Sequence, residues 1–251
     1  MKYVVSFSGG RTSAYLVHII EQIKHENEWD VDYIFIDTGA EDPRTYDFVR
    51  MIELYYNIEI TCIRAVFDTP LYKANNYKLL TTSDICDDLE PWRGMLAKYS
   101  TPYNPGGGFC TTMLKTRPYN QYCKDKYGVG NYQSLIGIRA DEPKRLKSKD
   151  SVIYLAELSD FEKEDILDFW DDMPFNLSLD SDIEGNCLFC IKRGINKIAV
   201  GVKRNPVQAN RFINLLEEST VRQIGDRKAS TLAMYRGEMS LTDIRKMYSH
   251  I

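Results

Sequence analysis

Residues 4–14 read VVSFSGGRTSA: an apolar strand, a Ser-Gly-Gly turn, then a helix whose Leu16, Ile19, Ile20 and Ile23 recur at helical spacing. Two adjacent glycines at a strand-to-helix turn permit a sharp reversal and close approach of the backbone. A helix N-terminus carries unpaired amides and about half a positive charge, which suits an anion. Ser8 and Ser13 can add hydroxyl donors, and Arg11 a bidentate cation. No GxxxxGK[ST] string is present, so this is not a Walker-type loop. A plain tight turn would need the same glycines, with Ser13 as ordinary helix surface.

The pattern then repeats. Residues 31–36 form a second apolar run ending at Asp37-Thr38-Gly39, Pro43 opens a helix carrying Phe48, Val49, Ile52 and Tyr56 on one face, and residues 58–66 read as a third strand. Strand–helix–strand–helix–strand at this spacing predicts parallel crossovers. The expected fold is therefore α/β: a Rossmann-like open, mainly parallel sheet of five or so strands, residues 2–7 near its centre, helices on both faces. Residues 133–138 and 151–155 supply two more strands. Residues 68–109, with Pro91, Pro102 and the run Asn104-Pro105-Gly106-Gly107-Gly108, are expected to be a lid or substrate loop. Ser159-Asp160-Phe161-Glu162 reads as a capping box for a helix running to Trp170, and Ser240 caps a last short helix. After Cys190 the chain reads as all-helical, giving an α/β domain over 1–193 and a helical C-terminal extension over 194–251.

Composition narrows the class. The 251 residues are 43% hydrophobic and 27% charged, ordinary for a folded soluble chain. A formal net charge of −4 argues against a dedicated nucleic-acid coat while allowing local basic patches. No apolar run approaches the ~20 residues that span a bilayer, and the opening residues are too short for a signal-peptide core. The expected location is cytoplasmic, with no membrane partner. The six cysteines then read as thiols or metal ligands rather than a disulfide framework.

Ser6, Phe7, Ser8, Gly9, Gly10, Arg11, Thr12 and Ser13 resemble the loop of the PP-loop ATP pyrophosphatases, the adenine nucleotide alpha-hydrolase-like superfamily, and within it the phosphoadenosine phosphosulfate (PAPS) reductase family. Four further stretches agree in order: Phe35-Ile36-Asp37-Thr38-Gly39 with Pro43 and Tyr46; Cys110 through Lys115, Arg117 and Pro118; Gly137-Ile138-Arg139 with Glu142 and Arg145; and residues 158–165, which match the helix that carries the family's acidic, tryptophan-rich motif. The likeness covers residues 1 to about 193. It implies ATP, with magnesium, held at residues 6–13 with Asp37, Thr38 and Gly137, and catalytic roles for Lys115, Arg139 and Arg145. Two departures stand out. Arg11-Thr12 replaces the Lys-Asp of many relatives, and the cysteine-bearing tail of the true sulfonucleotide reductases is absent, Cys190 being the last cysteine.

Cys187-Leu-Phe-Cys190 alone is compatible with half a zinc site, a redox pair or two small buried hydrophobes. Iron–sulfur-containing relatives place a Cys-Cys where this chain has Cys110-Thr111, and a CxxC after the tryptophan-bearing helix. The resemblance therefore implies a [4Fe–4S] cluster on Cys110, Cys187 and Cys190 with one iron lacking a protein thiolate, similar to three-cysteine sulfurtransferases of the wider superfamily. Zinc is the competing metal. It wants four ligands, which Cys86 or Cys123 would have to complete, because His18, His25 and His250 are poorly placed. Cys62 reads as core.

Residues 139–149 hold five bases and two acids, and 192–204 five bases and no acid. Such runs are commonly solvated faces. If the acceptor is a nucleic acid, the 192–204 run is its expected footing. No base-stacking signature and no Ser–His–acid triad is present. The leading expectation is an ATP-dependent, pyrophosphate-releasing enzyme with sulfurtransferase chemistry on a nucleic-acid or small-molecule acceptor, drawing on an unnamed sulfur donor. The alternatives are a sulfonucleotide reductase using an external thiol and a non-enzymatic nucleotide-binding subunit. A second copy of the chain is a further expected partner.

Overall fold

The computed structural model describes residues 1–102, 108–180, 183–223 and 225–248. Most of the 104–108 Pro/Gly run lies outside the described residues, as does His250.

Six strands form one sheet: β1 (Lys2–Phe7), β2 (Asp30–Asp37), β3 (Ile60–Val66), β4 (Asn76–Leu80), β5 (Tyr132–Ile136) and β6 (Val152–Tyr154), in the order β4-β3-β2-β1-β5-β6. All neighbours are parallel except β3 and β4. The central position expected for residues 2–7 holds, since β1 lies between β2 and β5 with Ser6 level with both Ile34 and Ile136. The strand order reverses at β1, so β1, β2 and β5 open a crevice at their carboxyl ends, where ligands of such sheets bind.

Strand alternation sorts the two faces. Val5, Phe7, Phe35 and Leu135 point into a core shared with α1 (Arg11–Ile23), α2 (Pro43–Tyr56) and α5 (Lys163–Asp171). Val4, Ile34, Ile36 and Ile63 face α4 (Arg117–Tyr127) through Tyr122 and Cys123. A third cluster lies apart from these. There α3 (Glu90–Tyr99) and the π-helical turn Thr111–Thr116 pack with α6 (Ile195–Arg204), α7 (Pro206–Glu218) and α8 (Leu241–Met247), through Trp92, Met95, Leu114, Ile198, Phe212 and Ile244 among others. The 194–251 extension thus shares a core with elements between β4 and β5.

Two local expectations are corrected. The expected lid over 68–109 contains an antiparallel edge strand and a ten-residue helix. Pro91 sits in the first turn of α3, where its missing amide costs nothing, so it begins a helix rather than breaking one. The capping box of α5 is Glu162 with Asp165, not the Ser159 pattern. Ser159 instead accepts the amide of Phe161 in a local turn. Ser240 does cap α8, with Asp243 completing the box.

Candidate functional site: the phosphate turn and the strap above it

Residues 8–10 carry the chain from β1 into α1. Gly9 adopts φ +74°, and a Cβ there would stand 2.6 Å from Thr45 Cγ2, so the turn needs glycine on both counts. Ser13 locks it: the Ser8 amide donates to Ser13 Oγ at 3.1 Å, the two hydroxyls share a 2.9 Å hydrogen bond, and Ser13 Oγ donates to the Gly10 carbonyl at 2.9 Å. Gly10, in extended conformation, caps α1 without any side-chain bond. The intrahelical ladder begins at the Ala14 amide, which leaves the first-turn amides directed outward.

Those amides border a cavity of about 390 Å³ lined by Ser8, Gly10, Thr12, Ser13, Gly137, Arg139 and Arg145, among others. Gly137 follows β5, and a Cβ on it would lie 2.9 Å from Ser13 Cα, so only glycine lets that strand end close against α1. Arg139 donates from Nη1 to Thr12 Oγ1 at 3.0 Å and is held bidentately by Asp141 at 2.7 and 3.0 Å. Burial alone would lower its pKa, but Asp141 and Glu142 outweigh that and raise it, so the guanidinium stays charged. Arg145 pairs with Glu142 at the rim and is itself exposed.

Other expected ligands are used differently. Arg11 borders the cavity, but its guanidinium serves three oxygens of the chain beyond α5. It donates to Asn176 Oδ1 at 2.7 Å, to the Leu179 carbonyl at 3.0 Å and to the Leu177 carbonyl. Trp170 Nε1 donates to the Arg11 carbonyl at 3.0 Å, which ties the tryptophan-bearing helix to the same turn. Asp37 and Thr38 are fully buried and do not line the cavity. Asp37 accepts from the Gly39 amide, Tyr46 and Arg64, while Thr38 donates to Glu41 from both its amide and its hydroxyl. Burial and then the Glu41 charge push the Asp37 carboxyl up to about 6 against the pull of Arg64. Ser6 and Phe7 border a second groove on the other side of β1.

Glu41 was not singled out by sequence reading. It is 1% exposed and accepts from Thr38, from Tyr46 at 3.2 Å and from Lys115 Nζ at 3.3 Å. Burial works against the Lys115 ammonium, but Glu41 reverses this and raises its pKa. The visible signal was two adjacent acids, Glu41-Asp42, between a strand end and Pro43.

A strap formed by residues 184–190 crosses above this network. It runs antiparallel to residues 40–42, with the Leu188 amide donating to the Ala40 carbonyl at 2.9 Å and the Asp42 amide to the Asn186 carbonyl at 2.6 Å. Asn186 Nδ2 donates to the Ser8 carbonyl at 2.9 Å. Glu184, buried, is gripped by Arg44 at 2.8 Å and Arg204 at 3.2 Å. Phe189 takes a left-handed φ of 55° inside the CxxC, and its carbonyl accepts from the buried Tyr235 hydroxyl at 2.8 Å.

Cys110, Cys187 and Cys190 lie in one neighbourhood. Burial raises the Cys110 thiol, with Cys190 adding to it. Burial and then Glu41 raise Cys187 well above the usual thiol range. Among the described residues, however, no group of three or more His, Cys, Asp or Glu side chains stands in metal-ligating geometry. Nor do the two cysteines considered as zinc completers join these three thiols: Cys123 is buried under α4, its thiol pushed up to about 12, and Cys86 is exposed beside Asp88. Cys62 is core, as expected.

The fold and the turn define a class, an open α/β sheet with an anion cradle at its switch point. Residues 2–163 match the model of the phosphoadenosine phosphosulfate reductase domain, and the chain belongs to that family. It is 47% identical over 249 residues to the uncharacterized nin region protein ORF290 of Escherichia phage lambda, covering 98% of this chain and 84% of that protein. It is also similar, at 18% identity and a TM-score of 0.45, to a crystal structure of phosphoadenylyl-sulfate (PAPS) reductase from Candida auris in a phosphate complex, over 74% of this chain and 79% of that one. Among the described residues no helix is long and apolar enough to cross a membrane.

Proposed function

We propose that the protein is a nucleotide-dependent enzyme of this family that binds ATP with its pyrophosphate on the first turn of α1 and transfers the adenylyl group to an acceptor. The observation that carries this is the set of outward-facing amides of α1, closed by Ser13 and flanked by Arg139, over a cavity of about 390 Å³. An acceptor oxygen attacks the α-phosphorus, the bond from the α-phosphorus to the bridging oxygen breaks, and pyrophosphate leaves with the electron pair. The acceptor's proton passes to water. Charge would grow on the leaving oxygens beside the first-turn amides, with the Arg139 guanidinium in the same cavity wall, so the cradle would stabilise the transition state more than the ground state. Magnesium would arrive on the phosphates and neutralise the departing group.

Sulfur transfer is the further part of the proposal. Cys110, Cys187 and Cys190 are the thiols that would hold an iron–sulfur cluster, which would supply a transferable sulfur, or zinc. The family itself supports a second reading, a PAPS reductase-like enzyme. In that reading the attacking thiol comes from another molecule, which becomes oxidised as sulfite leaves. Incubation with γ-labelled ATP, and separately with PAPS plus a dithiol, separates them. Pyrophosphate release supports adenylation and sulfite release supports reduction. Tight nucleotide binding with neither product points to an accessory nucleotide-binding subunit. Arg139→Ala should abolish whichever product appears, and a product that persists would remove the cradle from the mechanism.

A further inference from the structure

A second, larger hollow opens on the opposite side of β1 from the phosphate turn. Strand alternation puts Ser6, Tyr132, Ser134 and Val152 on the sheet face away from α1. In a doubly wound sheet the connection from β5 to β6 would lay a helix over this face. Here residues 137–151 contain none, and α4 packs instead towards β3 and β4. The result is a groove of about 830 Å³. It follows β5 for its whole length, roughly 16 Å, from Val129 and Gly130 at the amino end to Ser8 at the carboxyl end, and Ser8 also borders the phosphate cavity.

The lining is one-sided in charge. It includes Lys115, Lys124 and Lys149 and no aspartate or glutamate. Lys124 and Lys149 are exposed and form no ion pair among the described residues. Tyr119 and Tyr132 are half-buried beside them, with Tyr119 fixed by a 2.7 Å hydrogen bond to Ser134 Oγ. The 192–204 run is less available. Arg193 donates to the Glu184 carbonyl at 2.6 Å and Arg204 pairs with Glu184, so part of that charge holds the strap.

We propose that this groove binds single-stranded nucleic acid, with Lys124 and Lys149 on its phosphates, bases against the Tyr119 and Tyr132 rings, and the strand leading towards Ser8. Two unpaired cations, Lys124 and Lys149, beside aromatic rings and with no carboxylate in the lining, match a flexible polyanion that carries planar rings. The binding stands apart from the adenylation reading, because it requires neither ATP nor turnover. If both hold, the strand is the acceptor.

Fluorescence anisotropy without ATP tests it, using a fluorescein-labelled thymidine 12-mer, the matching uridine 12-mer and an abasic 12-mer with the same phosphates. The full-length protein should bind a base-bearing strand with a Kd that rises steeply with salt, and the abasic strand at least 3-fold more weakly. The double variant Lys124→Glu, Lys149→Glu should weaken binding 10-fold or more. With a slope of about 0.7 per phosphate for single strands, the variant's log–log salt slope should fall by roughly 1.4. The pair Lys73→Glu, Lys197→Glu has the same charge change elsewhere and should stay within 2-fold. Unchanged ATP affinity in the groove variant shows that it is folded with its phosphate turn intact. Failure of ATP binding beside normal strand binding would count against the proposed function alone. Three results would overturn the groove proposal: no strand binding, equal loss in both pairs, or a dimer in sedimentation that the groove variant abolishes, which would give the face to a second copy of the chain.

Discussion

Asn186 donates its side-chain amide to the Ser8 carbonyl at 2.9 Å and so fastens the cysteine-bearing strap to the phosphate turn. A Cβ on Gly10 would meet the same Asn186 side chain at 2.8 Å. Turn and strap are therefore joined directly, and Glu184, Gly185 and Asn186 of the strap also line the cavity.

Asn186→Ala should remove that fastening at a cost of about 1 kcal/mol in stability. Hydrogen exchange should show faster opening at residues 184–190 with β1 unchanged, and ATP should restore protection in the parent protein more than in the variant. Equal exchange in both would mean the strap is held by its backbone bonds alone.

Gly137→Ala tests the closeness of β5 to α1. Because the clash is with backbone, at 2.9 Å from Ser13 Cα, the neighbour cannot rotate away. Overpacking of this kind costs about 1–3 kcal/mol. The expected outcome is a lower Tm together with at least 10-fold weaker ATP binding by calorimetry, since Arg139 follows two residues later.

Asp37 gives a pH signature. Its carboxyl titrates at about 6 in the folded chain, against about 3.9 when unfolded. Between those values the native state binds more protons, so this group makes stability fall as pH rises from about 4 to 6, by up to about 1.4 kcal/mol per pKa unit. Asp37→Asn removes that dependence. The Tm difference, variant minus parent, should therefore increase across this window and level off above pH 7.

The thiols should label in a fixed order. Cys86, which is exposed, reacts first with iodoacetamide at pH 7, while Cys62 and Cys123 react only after unfolding. Cys110, Cys187 and Cys190, all of intermediate exposure, fall between, and Cys110 and Cys187 should react slowly at neutral pH and faster towards pH 10, because burial holds those two in the thiol form. Anaerobic loading with iron and sulfide, or with zinc, should protect these three together. Independent labelling after loading would separate the CxxC from Cys110.

Much of the architecture follows from local chemistry. The glycine turn, the apolar runs before and after it and the helical spacing of Leu16 and Ile20 predict β1, α1 and their place at the sheet centre, because strand and helix periods are properties of short segments. The same local rules misled at Pro91. Taken alone a proline reads as a break, whereas the turn before it made it the first residue pair of α3.

The site divides along the same line. Sequence by itself singled out Ser8, Gly10, Thr12, Ser13, Gly137 and Arg139, and all six line one cavity. Only the tertiary structure decided how the remaining charges are spent. Arg11 is turned to the carbonyls of Leu177 and Leu179, Asp37 is sealed against Arg64, and Glu41 is buried opposite Lys115. The physical reason is that a charge leaving water must find a partner. For these three that partner lies between 27 and 168 residues away in the chain, where no local pattern can show it. The groove beside β5 arises in the same way, from a crossover helix that residues 137–151 do not form.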